Sequence, residues 1–212
     1  MIADLSHGAP VVPFPARRVL LGVTGSIAAA DTPAIVLALR QMCRIEIRAV
    51  MSTAASSFVT PKALAVATGH PVVTEESFRA ATPDVDHVEL TRWADLVLIL
   101  PATADVLGKA AHGLAPDALT TCVLAAGCPV VFVPSMNSTM WGKPAVQRNV
   151  ETLRGDGYGV IPPAKGFSIA NGTVQEGAMP LLPDILAWIV RWPGAADLPV
   201  TGPTAMAASR GR

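Results

Sequence analysis

The sequence predicts an α/β protein built on one doubly wound, Rossmann-like parallel sheet, and three observations carry that expectation. Short apolar runs of strand length alternate with longer apolar-periodic segments of helix length. Two of the runs, Leu96–Leu100 and Val130–Val133, are continuously apolar, as a central parallel strand buried on both faces must be. The chain has 212 residues, 51% of them apolar, enough for one such domain with a sizeable core.

Taken in order, residues 1–16 carry Pro10, Pro13 and Pro15 and read as an extended arm, so the domain proper is expected over 17–192. Val19-Leu20-Leu21-Gly22 is the first strand, and the apolar period from Ile27 to Met42 predicts a helix. Ile45, Ile47 and Ala49 alternate with Glu46 and Arg48, a strand with one wetter face that Val50 and Met51 continue. Ser52 to Gly69 reads as loop plus helix. Asp86 is the expected N-cap of a helix that leads through Trp93 into the Leu96 strand. Segments 103–112, 117–126 and 144–154 supply helical crossovers. Gly159–Ile161 is a last strand and Pro183–Trp192 a last helix. Residues 193–212, rich in Gly, Pro, Ala and Ser, read as a disordered tail.

Composition removes several classes of function. Sixteen Lys+Arg balance sixteen Asp+Glu, so no basic excess exists to neutralise a nucleic-acid backbone. No stretch reaches the roughly 18 apolar residues of a membrane span, and the most apolar one, Thr121–Pro134, is broken by Gly127 and Pro129. The first residues place Asp4 where a secretory signal needs positive charge, so a cytoplasmic protein is expected. Cys43, Cys122 and Cys128 have no metal-type spacing and read as structural thiols in apolar runs. Charged residues make up 15% of the chain, against roughly 25% in an ordinary soluble domain. A surface so poor in charge is sticky, and this hints at oligomerisation.

In open α/β sheets, ligands bind at the carboxyl ends of the strands, so the turns after each strand matter most. After the first comes Gly22-Val23-Thr24-Gly25-Ser26-Ile27-Ala28, which is neither a GxGxxG nor a P-loop. Ser26 there is either a plain N-cap or part of an anion site. Ser52-Thr53 after the second strand carries the same ambiguity, but two such turns on neighbouring strands favour a mononucleotide phosphate. The third turn, Pro101-Ala102-Thr103-Ala104-Asp105-Val106, is small enough for a flat ring to approach. The fourth, Pro134-Ser135-Met136-Asn137-Ser138-Thr139-Met140-Trp141, places methionines, an amide and an indole directly after a buried strand. Met136 and Met140 suit either contact with a π-system or ordinary packing. Asn137 can both donate to a carboxylate and accept from an amide. His87, in the first turn of its helix, is either a surface histidine or a neutral base, because the dipole there disfavours the imidazolium. His7, His70 and His112 sit in the arm, a loop and a helix end.

Together these segments resemble the homo-oligomeric flavin-containing cysteine decarboxylases, over Arg17 to Trp192. Pro134–Trp141 matches the PxMNxxMW signature of that family in full, Leu100–Val106 is similar to its PASANT motif, and Asp86–Asp95 is similar to its active-site histidine segment. Gly22–Ala28 is similar to its flavin-phosphate turn. The resemblance implies a flavodoxin-like three-layer fold, a homotrimer or dodecamer, and bound FMN, with FAD the alternative. It implies that Gly25, Ser26, Ile27, Ser52 and Thr53 hold the flavin phosphate. Thr103, Ala104, Asp105, Val106, Ser135 and Met136 would line the ring. His87 would be the base, Asn137 would hold the substrate carboxyl, and Met140 with Ser168, Ile169, Ala170 and Asn171 would contact the substrate.

Two departures from the family pattern bear on the reaction. Asp105 and Val106 replace an Asn-Thr pair, changing the hydrogen bonds available there. Asn171 stands where phosphopantothenoylcysteine decarboxylases carry a cysteine that reduces an enethiol intermediate, and no cysteine follows Cys128. The resemblance therefore implies the lantibiotic-type reaction: oxidative decarboxylation of the C-terminal cysteine of a precursor peptide to an aminoenethiol, with oxygen the expected final acceptor. Ser168–Met179 is the candidate segment for closing over the peptide. The alternatives are a phosphopantothenoylcysteine decarboxylase of coenzyme A synthesis, against which the lack of a fused synthetase also counts, and a non-catalytic flavoprotein regulatory subunit. A prenyl-flavin synthase shares the fold but not the PxMNxxMW signature.

Overall fold

The computed structural model describes residues 12–80, 86–168 and 173–198. Six parallel strands form one sheet: β1 (Arg18–Val23), β2 (Glu46–Met51), β3 (Val72–Val73), β4 (Leu96–Ala102), β5 (Val130–Pro134) and β6 (Gly159–Val160). Their spatial order is β3-β2-β1-β4-β5-β6. The chain winds outward from β1 to β3, then returns to the other side of β1 and winds outward again through β4. Setting aside the two-residue edge strand β3, the order is the flavodoxin-like 2-1-3-4-5. The order reverses between β1 and β4, so the ligand crevice is expected above the carboxyl ends of those two strands.

The strands are short apolar runs because both faces are covered. Every residue of β4 and of β5 is buried. One face packs Leu21, Ile47, Leu98 and Val131 against Val36 and Leu39 of α1 (Thr32–Cys43), Leu64 of α2 (Pro61–Thr68), and Ile185 and Ile189 of α9 (Leu182–Arg191). The opposite face packs Leu20, Val97, Ile99 and Phe132 against α4 (Asp86–Trp93), α5 (Ala104–Ala111), α6 (Ala118–Ala125) and α8 (Pro144–Gly155). Short helices α3 (Glu75–Ala80) and α7 (Ser138–Trp141) complete the layers. Local chemistry sets the starts. Thr60, Thr103 and Asp117 each accept a backbone N–H from their own first turn, and Asp117 with Thr120 forms a capping box.

Four segments differ from the sequence expectation. The helix predicted over Ile27–Met42 is split into a 3₁₀ turn, Ile27–Asp31, and α1. Pro33 lacks an N–H and suits the opening of a helix rather than its middle. Ser168–Met179, the candidate cover with no element assigned to it, includes the end of β7 (Ala164–Ser168) and all of β8 (Thr173–Ala178), which pair as a β-hairpin. Its sequence lacks the apolar alternation that announces a strand. Pro193–Leu198, expected to be unstructured, contains a 3₁₀ turn whose Ala195 is buried, with Leu198 buried beyond it. Trp192 stacks on Trp188 at 5.9 Å and folds this segment against the sheet. At the other end, Val12 donates its N–H to the Met42 carbonyl, and Phe14 and Ala16 are buried, so residues 12–16 of the arm are pinned to the core.

Candidate functional site

The first, third and fourth turns are stitched together above the β1–β4 reversal. Thr24, at the end of β1, is buried; its hydroxyl donates to the Pro101 carbonyl at 2.7 Å and accepts from the Thr103 N–H at 3.0 Å. Ser26 caps the 3₁₀ turn, accepting from the Ala28 N–H at 3.4 Å, and shares a 2.9 Å hydrogen bond with the Ser135 hydroxyl. Ser135 in turn donates its N–H to the Ala102 carbonyl. Thr24 was not among the residues the sequence singled out. Its partners lie 77 and 79 residues away, and no local signal marks them.

The second turn packs on the first because Gly25 has no side chain. A Cβ there would lie 2.5 Å from the Ala54 Cβ. The Ser52 N–H donates to the Val23 carbonyl, while the Ser52 hydroxyl is buried with no partner. An orphaned buried hydroxyl beside a Gly-Ser turn fits an oxygen-rich anion such as a phosphate. The donor set thus fits a flavin phosphate without a lysine or arginine.

The fourth turn is held from above. Met136 donates its N–H to the Gly177 carbonyl of β8 at 2.9 Å. Gly177 has a φ of +122°, and a Cβ there would lie 2.2 Å from the Met136 carbonyl oxygen. Asn137 caps α7 with its side-chain oxygen, which accepts from the Met140 N–H at 2.8 Å. That bond fixes the amide's orientation and leaves its NH₂ as the group available to a ligand. Ser26, Ile27, Ser135, Met136 and Asn137 all line one cleft of about 730 Å³, roofed by Glu176 to Leu182.

Other predicted residues lie outside that cleft. His87 stands in the first turn of α4, its ring 5.7 Å from that of Phe78, and its Nδ1 is buried without a partner. Its carbonyl accepts from the Thr91 hydroxyl at 2.7 Å. Ser52, Thr53, Thr103, Ala104 and Asp105 stand at the tips of the second and third turns. Val106 is buried in the core. Asp105 is exposed and pairs with Lys109 at 2.8 Å, and Lys109 also meets Asp117 at 3.3 Å. The hydrogen bond with Asp105 chiefly holds the Lys109 ammonium above its ordinary range. Met140 is exposed on α7. Ser168 ends β7, and Ile169, Ala170 and Asn171 lie outside the described residues. One chain therefore brings the first turn and the Asn137 loop to one cleft, with the second turn packed beside the first, and leaves His87 outside the lining.

Among the described residues, no group of three or more His, Cys, Asp or Glu could hold a metal, and no helix is long and apolar enough to cross a membrane. Cys43 and Cys122 are buried and Cys128 half-buried, and none of the three is in a disulfide. Burial pushes the Cys43 and Cys128 thiols up, away from reactivity at neutral pH.

A three-layer sheet with its crevice at the β1–β4 reversal, two anion-type turns and a Met-Asn loop defines a nucleotide-cofactor binding class. The chain belongs to the Flavoprotein family, which matches residues 12–194. Its structural neighbours include FMN-dependent cysteine decarboxylases. One is SpaF, 41% identical over 84% of this chain and 97% of that one, with a TM-score of 0.70. Another is a PPC decarboxylase variant complexed with pantothenoylaminoethenethiol, 30% identical over 82% and 96%, with a TM-score of 0.72. In sequence, the chain is 40% identical over 164 residues to the coenzyme A biosynthesis bifunctional protein CoaBC of Bacillus subtilis (strain 168). That match covers 77% of this chain but only 40% of the relative's length.

Proposed function

We propose that this protein is an FMN-dependent decarboxylase of the C-terminal cysteine of a peptide, releasing CO₂ and an aminoenethiol. The observation that carries the reading is the cleft wall of Ser26, Ser135 and Asn137, where an anion-type turn meets an amide whose oxygen is taken by its own helix cap. FMN, the flavin named for its neighbours SpaF and TvaF, is the proposed cofactor. When bound, it supplies the two-electron oxidation of the cysteine side chain.

The protein's own residues supply placement and proton handling. The Gly25, Ser26 and Ile27 turn, with Ser52 and Thr53, holds the phosphate. Ser135, Met136 and the Thr103–Val106 turn flank the ring, with Val106 acting from beneath as packing. Asn137 donates through Nδ2 to the substrate carboxylate and so orients the bond that breaks. His87 handles the proton at an imidazole nitrogen. Because one chain keeps His87 away from the cleft, a second copy contributes it, in a trimer or an assembly of trimers. The low charge of the chain fits such an assembly, since interface cores are depleted in charge. The β7–β8 hairpin, including Ser168, covers the peptide, Ile169, Ala170 and Asn171 are further proposed substrate contacts, and Met140 is near the entrance.

The peptide reading rests on the cysteines. No thiol follows Cys128, so no side chain is placed to reduce the enethiol. The second reading, a phosphopantothenoylcysteine decarboxylase, is favoured by the 40% identity to CoaBC. Side-by-side turnover separates them. The flavin-loaded protein should consume a peptide ending in cysteine far faster than phosphopantothenoylcysteine, and the reverse preference would establish the second reading.

A further inference from the structure

Beyond anchoring one carboxylate, the cleft carries a charge pattern of its own. We infer that Asp31 and Glu176 make it reject a second negative charge on the substrate, so that it takes peptides neutral or cationic in the two residues before the cysteine. This rests on the peptide decarboxylase reading. Asp31 and Glu176 are the charged residues lining the cleft, and no lysine, arginine or histidine lines it among the described residues. Asp31 ends the 3₁₀ turn that begins at Ser26, and Glu176 precedes the Gly177 that holds Met136.

The rest of the wall includes Ile27, Ile35, Met179, Leu181 and Leu182, while Asp31 and Glu176 are both exposed, so their field acts through solvent and weakens with salt. Asp31 enters no ion pair among the described residues. Glu176 faces Lys165 in register across the hairpin, so part of its field is offset and Asp31 is the stronger determinant. A cofactor phosphate held at the Gly25–Ile27 turn, as proposed, would add negative charge beside the cleft that Ser26 and Ile27 line. A cysteine peptide has one carboxylate, met by the Asn137 donor. Phosphopantothenoylcysteine brings a phosphate as well, and the lining offers it no cation.

The test uses the flavin-loaded protein and three synthetic peptides ending in cysteine, with lysine, glutamine or glutamate at the two preceding positions. At about 0.05 M salt the glutamate peptide should show kcat/KM about tenfold below the lysine peptide, mainly through KM, and the gap should shrink several-fold at about 0.5 M. Asp31→Asn should narrow the gap more than Glu176→Gln, and the double variant should nearly close it. Equal use of the lysine and glutamate peptides at low salt overturns the inference, as does a gap that survives in the double variant. Turnover of phosphopantothenoylcysteine with none of any peptide overturns the peptide reading itself.

Discussion

Asn137 does two jobs with two ends of one amide. Its oxygen caps α7 through the Met140 N–H, and its NH₂ is the end proposed to meet the substrate. Asn137→Asp separates them, because a carboxylate still accepts from Met140 but cannot donate, and it repels the substrate carboxyl. Losing a hydrogen bond to a charged group costs about 3 kcal/mol, so kcat/KM should fall at least about 100-fold. The melting temperature should move by no more than about 2 °C, since the cap is kept. Activity within about threefold of the parent would remove Asn137 from substrate binding. The sequence exposed this residue because Met-Asn and Met-Trp directly after a buried strand are uncommon as packing. It hid Thr24, whose partners Pro101 and Thr103 are distant in the chain, and it left open whether Ser26 caps or binds. Ser26 in fact caps its turn while also pairing with Ser135.

Among the elements, β1, β4 and β5 were legible because a strand buried on two faces must be apolar throughout. The hairpin was not. β7 and β8 are stabilised by pairing with each other and by the Gly177–Met136 contact, neither of which leaves a period in the sequence. Gly177 is the point where this roof is fastened. Gly177→Ala would force a side chain against the Met136 carbonyl at a backbone angle that L-residues rarely adopt, a cost of about 2–4 kcal/mol. The strain should lift β8 locally. Amide exchange should show the Met136 N–H losing its protection while Leu98 and Phe132 in the sheet keep theirs. An unchanged Met136 amide would mean that the roof is fastened elsewhere.

For the whole molecule, the separation of His87 from the cleft within one chain has a direct consequence. His87→Asn and Asn137→Asp proteins should each be inactive as homo-oligomers. Mixed and reassembled, they should recover roughly a quarter of parental activity, because hybrid assemblies contain sites with both residues intact. No recovery after verified subunit exchange would mean that each chain builds its whole site. Stability carries its own signature. Burial pushes the Asp95 carboxyl up, but the Arg18 guanidinium and the Arg18 and Arg17 backbone N–H groups outweigh that and hold it below the usual range. A group whose folded pKa is depressed stabilises the fold above its unfolded pKa of about 3.9 and loses that contribution as pH falls through the folded value. The melting temperature should therefore drop steeply below about pH 4, and Asp95→Asn should start lower at neutral pH and show a shallower acid limb. Identical acid limbs in the two proteins would deny Asp95 that role. The sheet's two-sided burial made the fold class readable. What it could not convey was which turns meet in space.

The central claim is a change in mass. Incubated with the flavin-loaded protein in air, a synthetic peptide ending in cysteine should lose about 46 Da, carbon dioxide plus two hydrogens. A loss of about 44 Da, carbon dioxide alone, would mean that the enethiol is reduced after all, and an unchanged mass across several cysteine-ended peptides would contradict the account.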